Sequence, residues 1–372
     1  MNPPHAVDDY SSLIITGIRS YYPEIRVHGK DYKAIWSWNP WDAKDAIPKW
    51  AGSYLLHGRS VTEVKWARST MGDKNTKIVA IVNCAAIVLD YAEKTLDFIV
   101  PVIHSHTVEL LPDGFLAVAT TGDTQNDGFD VYDMKGCVPS NHLTPMPKPV
   151  QRIENFPVIH GLIFDHSSNL LWAAGNNKAP NNTQGPSHPV LQDYAFNNRP
   201  TTSEEGGPFD QNACHTFKVC EPAKLNVQWE RTDFSSWWDG AHDLIPVPAS
   251  GSDSGTLLIT TDLDIFAFNT INIQEPKFQR GEDVISRYLP GFSPVGERTG
   301  SNGLSFPRSD VKALSINTTG NFLYVQSVWK DWFGKLVRVI TREEPKTKHD
   351  IEVAQTVYVS RWFAPVPGWS GE

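Results

Sequence analysis

Three histidines open three similar phrases: His106 in "HTVELL", His160 in "HGLIFD" and His242 in "HDLIPV". Lys312 takes the same place in "VKALSI" and Thr62 in "TEVKWA". Imidazole titrates near neutrality, at about 6.5, so a set of them can pass protons or hydrogen-bond an organic substrate, and an ammonium group adds fixed positive charge. Acid–base or hydrogen-bond catalysis by His106, His160, His242 and Lys312 is therefore the expected chemistry. Glu63, Asp243 and Asp310 lie beside these positions in the chain and can orient or charge the imidazoles. His104, two residues before His106, joins the same side of its strand if extended structure continues that far. No metal is expected: ligands must approach one ion within about 2.0–2.3 Å, and Lys312 opposes a cation.

These positions are equivalent because the phrases around them repeat. "HTVELLPDGFLAVATTG…GFDVYD" (106–133) reads as strand, turn, strand, interruption, third strand, and "HGLIFDHSSNLLWAAG…HTFKV" (160–219) follows the same plan. Further copies are 242–269, 311–340 and "TEVKWARSTMGDKNTKIVAIVNCAAIVLDY" (62–91). The N-terminal "SLIITG…EIRVHG…AIWSW" supplies a sixth unit without a leading strand, and the C-terminal "TVYVSRWFAP" is a lone β-branched and aromatic run that can complete it. The expected fold is all-β: a single domain over 1–372, a six-bladed β-propeller closed by N- and C-terminal strands sharing one blade, which removes exposed sheet edges. The leading strand of each blade then lines a central channel, and the His/Lys positions form a ring around its axis. Residues 176–213, rich in Pro, Asn and Gly with no strand or helix period, read as a long loop inserted in the fourth blade. "GEDVISRYLPGF" (281–292) reads as one or two helical turns.

Composition sets the partner class. The chain of 372 residues carries 13 Trp, 17 Phe and 11 Tyr with a formal charge of −9, so a nucleic-acid backbone is repelled, and no apolar stretch is long enough to cross a bilayer. No nucleic-acid and no membrane partner is expected. Trp66 on a leading strand, Trp238 just before His242 and Trp329 in a loop of the last full repeat suit a small-molecule substrate with large apolar faces. No nucleophile elbow, phosphate loop, zinc-protease or dinucleotide motif occurs. Cys137, Cys214 and Cys220 are disulfide candidates, Cys84 lies in an apolar run, and Asn181 and Asn317 head N-glycosylation triplets. Together they point to a secreted or secretory-lumen protein whose signal peptide is absent from the sequence.

"SHTVELLPDGFLAVATTG" with "GFDVYD", "IHGLIFDHSSNLLWAAG", "AHDLIPVP" and "DVKALSINTTGNFLYVQ" resemble a family of secreted six-bladed propeller proteins over nearly the whole chain. Within its fungal part, the sequence is similar to the hetero-Diels-Alderases of tropolonic sesquiterpene biosynthesis. That resemblance implies an enzyme without cofactors that joins a tropolone-derived o-quinone methide to a humulene-type macrocycle, with polyketide and terpenoid substrates. A cycloaddition suits a shaped apolar pocket, because holding both partners in register removes much of its entropic barrier. The alternative is a glycan-binding or glycan-processing propeller, in which Glu63 and Asp243 are the paired carboxylates a glycosidase needs.

Overall fold

The repeat phrases are built from β-branched and aliphatic runs such as "TKIVAIVNCAAIVLD", apolar at nearly every position. A strand of that kind is stable when both faces of its sheet are covered, and here Thr76–Val82 and Ala85–Asp90 are buried almost throughout. Their two-residue connection starts at Asn83, whose φ of 55° is the left-handed conformation such hairpins require. The computed structural model describes residues 12–70, 75–121, 126–135, 145–179, 187–197, 207–209, 215–219, 240–250, 254–261, 264–273, 277–299, 305–327, 333–342 and 348–370.

The N-terminal meander is β1 (Ile14–Arg19), β2 (Glu24–His28) and β3 (Ala34–Trp38), followed by the short helix α1 (Gly52–Leu55). Four four-stranded antiparallel sheets come next. The first is β4 (Val61–Arg68), β5 (Thr76–Val82), β6 (Ala85–Asp90) and β7 (Leu96–Pro101). The second is β8 (Thr107–Leu110), β9 (Phe115–Ala119), β10 (Phe129–Asp133) and β11 (Gln151–Ile153). The third is β12 (Gly161–Asp165), β13 (Leu170–Asn176), β14 (Pro189–Ala195) and β15 (His215–Lys218). The fourth is β16 (Ala241–Pro246), β17 (Thr256–Thr261), β18 (Ile265–Asn269) and β19 (Phe278–Arg280). Helix α2 (Glu282–Tyr288) and the two-stranded ribbon β20 (Gly296–Thr299) and β21 (Ser305–Arg308) lead to β22 (Val311–Ile316), β23 (Phe322–Gln326), β24 (Gly334–Ile340) and β25 (Lys348–Trp362).

β25 closes the circle. Its first part pairs with β24, from Lys348 opposite Ile340 to Glu352 opposite Leu336, and its last part pairs with β1, from Thr356 opposite Arg19 to Trp362 opposite Ile14. One strand thus links β22–β23–β24 to β1–β2–β3 in a seven-stranded sheet, and the all-β architecture is a propeller whose termini are sealed together. Buried side chains between neighbouring sheets form the core, for example Phe129, Phe156, Leu162 and Leu171 between the second and third. Gly161 opens β12 where it runs beside β16; a Cβ there would lie 2.4 Å from Leu244 Cβ, so only glycine permits this approach.

Two segments differ from the sequence reading. The stretch 176–213 is not loop throughout, since it contains β14, the third strand of its sheet, while "HTFK" is the fourth. Gln192 and Asp193 hide the strand in the sequence; in the fold Asp193 is buried and accepts from the His215 backbone N–H at 2.8 Å. The ribbon β20–β21 has no counterpart among the expected elements. Helix α2 forms where the sequence places it, ending ahead of Pro290.

Candidate functional site

The leading strands β4, β8, β12, β16 and β22 and the last part of β25 begin at one mouth of the channel, and their first residues meet there. In four of them the pairing with the neighbouring strand skips one residue: Thr62, His242, Lys312 and Tyr358. Each is a β-bulge, which frees the residue from the ladder and re-aims its side chain. His106 and His160 stand one residue ahead of paired strands, whose first pairs are Thr107 with Ala119 and Gly161 with Ala174.

The ring is compact. Rings of His106 and His160 meet edge to face with centroids 4.6 Å apart, and those of His160 and His242 at 5.5 Å. Lys312 Nζ donates to His242 Nε2 at 3.0 Å, and His106 Nδ1 lies 3.1 Å from the Tyr358 hydroxyl. His160 Nδ1 donates to the Val158 carbonyl at 3.1 Å, which fixes its tautomer. Burial, then the nearby His242 and Lys312, hold the His106 pKa down at about 3; burial, then His106 and His242, hold His160 well below its ordinary value. His106 and His160 are therefore neutral at pH 7. Among the described residues no three His, Cys, Asp or Glu side chains converge on a metal position.

One layer deeper, Arg361 from β25 crosses the channel. Its Nε and Nη2 donate to Glu63 at 3.0 and 3.1 Å, its Nη2 and Nη1 to Asp243 at 2.8 and 3.0 Å, and Nη1 also to the Leu314 carbonyl at 3.3 Å. All five guanidinium hydrogens are used, so Arg361 has no donor left for a ligand. The same layer satisfies the free inner edges of the strands: Thr107 Oγ1 accepts from Leu162 N, and Asp243 Oδ2 from Leu314 N.

Beyond this plug lies a cavity of about 350 Å³, within the size range of small-molecule sites. Its floor is formed by the residue three positions after each ring member: Lys65, Glu109, Ile163, Ile245, Ser315 and Arg361. Its walls begin with the next residue on each strand: Trp66, Leu110, Phe164, Pro246, Ile316 and Trp362. Val366 and Trp369, after β25, and His166, after β12, complete the far mouth. The floor is divided, because Ser315, Arg361, Lys65 and Glu109 stand on consecutive leading strands and Ile163 and Ile245 on the remaining two. Lys65 Nζ donates to Glu109 Oε2 at 2.8 Å and to the Leu162 carbonyl at 2.7 Å, and lies 3.6 Å from Glu63. Glu109 Oε1 accepts from Phe164 N at 3.3 Å. Burial raises the Glu109 pKa against the pull of Lys65.

The structure therefore brings His106, His160, His242 and Lys312 together with Thr62, whose Oγ1 donates to the Ser105 carbonyl at 3.0 Å. It does not put them in the cavity, whose floor begins about 10 Å further along the strands, three residues at roughly 3.3 Å each from Tyr358 to Arg361. Trp66 lines the cavity. Glu63 and Asp243 meet at Arg361 and face neither cavity nor solvent. Asp310 is buried with a φ of 44° just ahead of β22. His104 is not on the strand: its φ of 54° breaks the extended run, and its side chain is exposed. Asn317 is buried, and its Oδ1 accepts from Thr319 and Asn321 to close a turn. Cys84 is a free thiol. Trp238, Trp329, Asn181, Cys137, Cys214 and Cys220 lie outside the described residues.

Tyr358, Lys65, Glu109 and Arg361 are the channel and cavity positions that the sequence reading missed. Laying "VYVS" (357–360) over "VKAL" (311–314) puts Tyr358 at the ring position, and an offset of three then yields the floor.

No protein-family model matches the chain, and no curated protein matches it. Among solved structures it is similar to the β-propeller domain of Myceliophteria thermophila Cps50 (Swd1), at 11% identity and a TM-score of 0.45, covering 93% of this chain and 83% of that one. It is also similar to a protein of unknown function from Bacteroides caccae, at 11% identity and a TM-score of 0.47, covering 94% and 97%. Apo AztD from Citrobacter koseri is a third, at 11% identity and a TM-score of 0.41, covering 94% and 96%.

Proposed function

We propose that the chain is a six-bladed propeller enzyme that needs no cofactor and joins two small apolar molecules in the cavity at the far mouth, in the manner of a hetero-Diels-Alderase acting on a tropolone-derived o-quinone methide and a humulene-type sesquiterpene. The count of six is supported by the change of β25's partner from β24 to β1, which divides the seven-stranded sheet in two. The observation that carries the reading is the divided floor, polar at Lys65, Glu109 and Ser315 and apolar at Ile163 and Ile245 beside Trp66, Phe164 and Trp362; in this reading the polar side takes the oxygenated ring system and the apolar side the hydrocarbon macrocycle. Binding of this kind accelerates a cycloaddition by fixing both partners in a reactive arrangement and excluding water, with no covalent step on the protein. The imidazole ring then seals the opposite end of the channel rather than touching substrate. A secretory-lumen location belongs to the same proposal.

The test supplies purified protein with a hydroxymethyl tropolone precursor and a humulene-type alkene, and follows the adduct by chiral chromatography and mass spectrometry. Wild-type protein is expected to raise the rate and fix one stereoisomer, and Trp66→Ala to lose at least about tenfold, since a buried aromatic contributes about 1.5–3 kcal/mol. Background rate and a mixture of stereoisomers with wild-type protein would overturn the reading. The glycan-binding alternative draws on a separate feature, the exposed cluster of Tyr21, Tyr22 and Trp41, with ring centroids 4.8 and 6.1 Å apart. Oligosaccharide titrations that perturb these rings and leave the cavity untouched would favour it.

A further inference from the structure

The five charges below and at the cavity floor form an alternating chain: Asp243, Arg361, Glu63, Lys65, Glu109. Its inner members are spent on each other. Arg361 has every hydrogen engaged, and Glu63 accepts from Arg361, Val64 N and Thr107 Oγ1. The last pair is different. Glu109 and Lys65 both line the cavity, their side chains are 17% and 11% exposed, and each Glu109 oxygen accepts a single hydrogen bond, one from Lys65 and one from Phe164 N. A carboxylate oxygen has room for a second bond, so both groups can engage a ligand without breaking the chain behind them.

We propose that Glu109 and Lys65 are the proton-transfer pair of this cavity, Glu109 the acid that protonates a departing hydroxyl and Lys65 the cation that holds the neighbouring oxygen. The assignment rests on the proposed function and adds the step that prepares its electrophile. The Glu109 carboxyl gives its proton to the hydroxyl of a hydroxymethyl substituent, the C–O bond breaks, and its electron pair leaves with water. The adjacent enolic hydroxyl returns a proton to the Glu109 carboxylate, and its oxygen becomes the quinone-methide carbonyl, hydrogen-bonded by Lys65. One water is lost, and no oxidant or reductant is involved. Burial favours the protonated form that this role requires, opposed by Lys65 and the Phe164 amide and aided by Glu63. Arg361, Arg68, Asp113 and His166 are the other charged or titratable groups around the cavity.

The experiment pairs two substrates with three proteins. Wild type, Glu109→Gln and Glu109→Asp are assayed with the hydroxymethyl precursor and with the quinone methide released photochemically from a caged form, each with the humulene-type alkene. Glu109→Gln also alters the floor that binds the oxygenated partner, so the readout is the ratio of the two rates: the precursor reaction is expected to slow about 100-fold or more beyond any loss in the photochemical reaction, the scale of general-acid catalysis, and Glu109→Asp restores part of the precursor rate with a displaced pH profile. Equal loss on both substrates, or none on either, overturns the acid role and leaves the cycloaddition intact. A wild type inactive on both overturns the proposed function and the catalytic role with it. Difference infrared spectroscopy of the unliganded protein across pH supplies a readout besides activity: a protonated-carboxyl band titrating above the ordinary glutamate range and missing from Glu109→Gln is expected, and its persistence in the variant counts against Glu109.

Discussion

Acidifying the protein should lower its stability through the imidazole ring at a pH where most carboxylates are still charged. His106 titrates near 6.5 in an unfolded chain and at about 3 in the folded one, because the charged form would be desolvated beside Lys312 and two other imidazoles. Below pH 6.5 the unfolded state therefore binds the proton first, and stability falls as pH falls. At about pH 5 the unfolded imidazole is almost fully protonated and the folded one almost fully neutral, which removes about 2 kcal/mol relative to neutral pH for this residue alone. His160 acts in the same direction. Carboxyls raised by burial, Glu109 and Asp264, work oppositely, gaining stability as pH falls, so the total slope alone is not diagnostic. The comparison is between wild type and His106→Asn, which keeps a short polar group and removes the titration. Urea unfolding between about pH 7.5 and pH 5 should show the variant less stable at neutral pH yet losing about 2 kcal/mol less on acidification. Parallel pH dependence in the two proteins would refute the desolvated ring.

The Arg361 clamp and the Gly161 contact give further tests. Arg361→Met leaves Glu63 and Asp243 buried without their cation and should cost about 3–5 kcal/mol in urea unfolding, with proteolysis releasing the C-terminal strand first; adding Glu63→Gln and Asp243→Asn should recover part of that loss. Gly161→Ala forces a Cβ to within 2.4 Å of Leu244 Cβ and should cost about 1–3 kcal/mol, much of it recovered by Leu244→Ala, whereas an unperturbed single variant would mean that β12 and β16 do not approach as described.

The architecture was legible because blades stacked on both faces demand long apolar runs, and "IVAIVNCAAIVLDY" or "FLAVATTG" has few other uses. The ring was legible in part for a similar reason: a bulge in some phrases and the residue just ahead of the strand in others leave a polar side chain at one place in the repeat. The Tyr358 position stayed hidden because its strand stands apart from the rest of its blade by the whole length of the chain. Lys65 and Glu109 stayed hidden for another reason, since charges alternating with apolar residues in "TEVKW" and "TVELL" look like a solvated strand face. Only the convergence of six strands turns that face inward, and no single segment encodes the convergence. Strand β14 shows the same limit: Asp193 is acceptable in the interior because His215, on the next strand, meets it.

Strand β25 contributes Tyr358 to the ring, Arg361 to the clamp and Trp362 to the cavity wall, so three levels of the channel await a segment made after every other described strand. Chains that stop short of β25 therefore have no finished channel, and a closed cavity becomes a certificate that β25 has been made and has met β1.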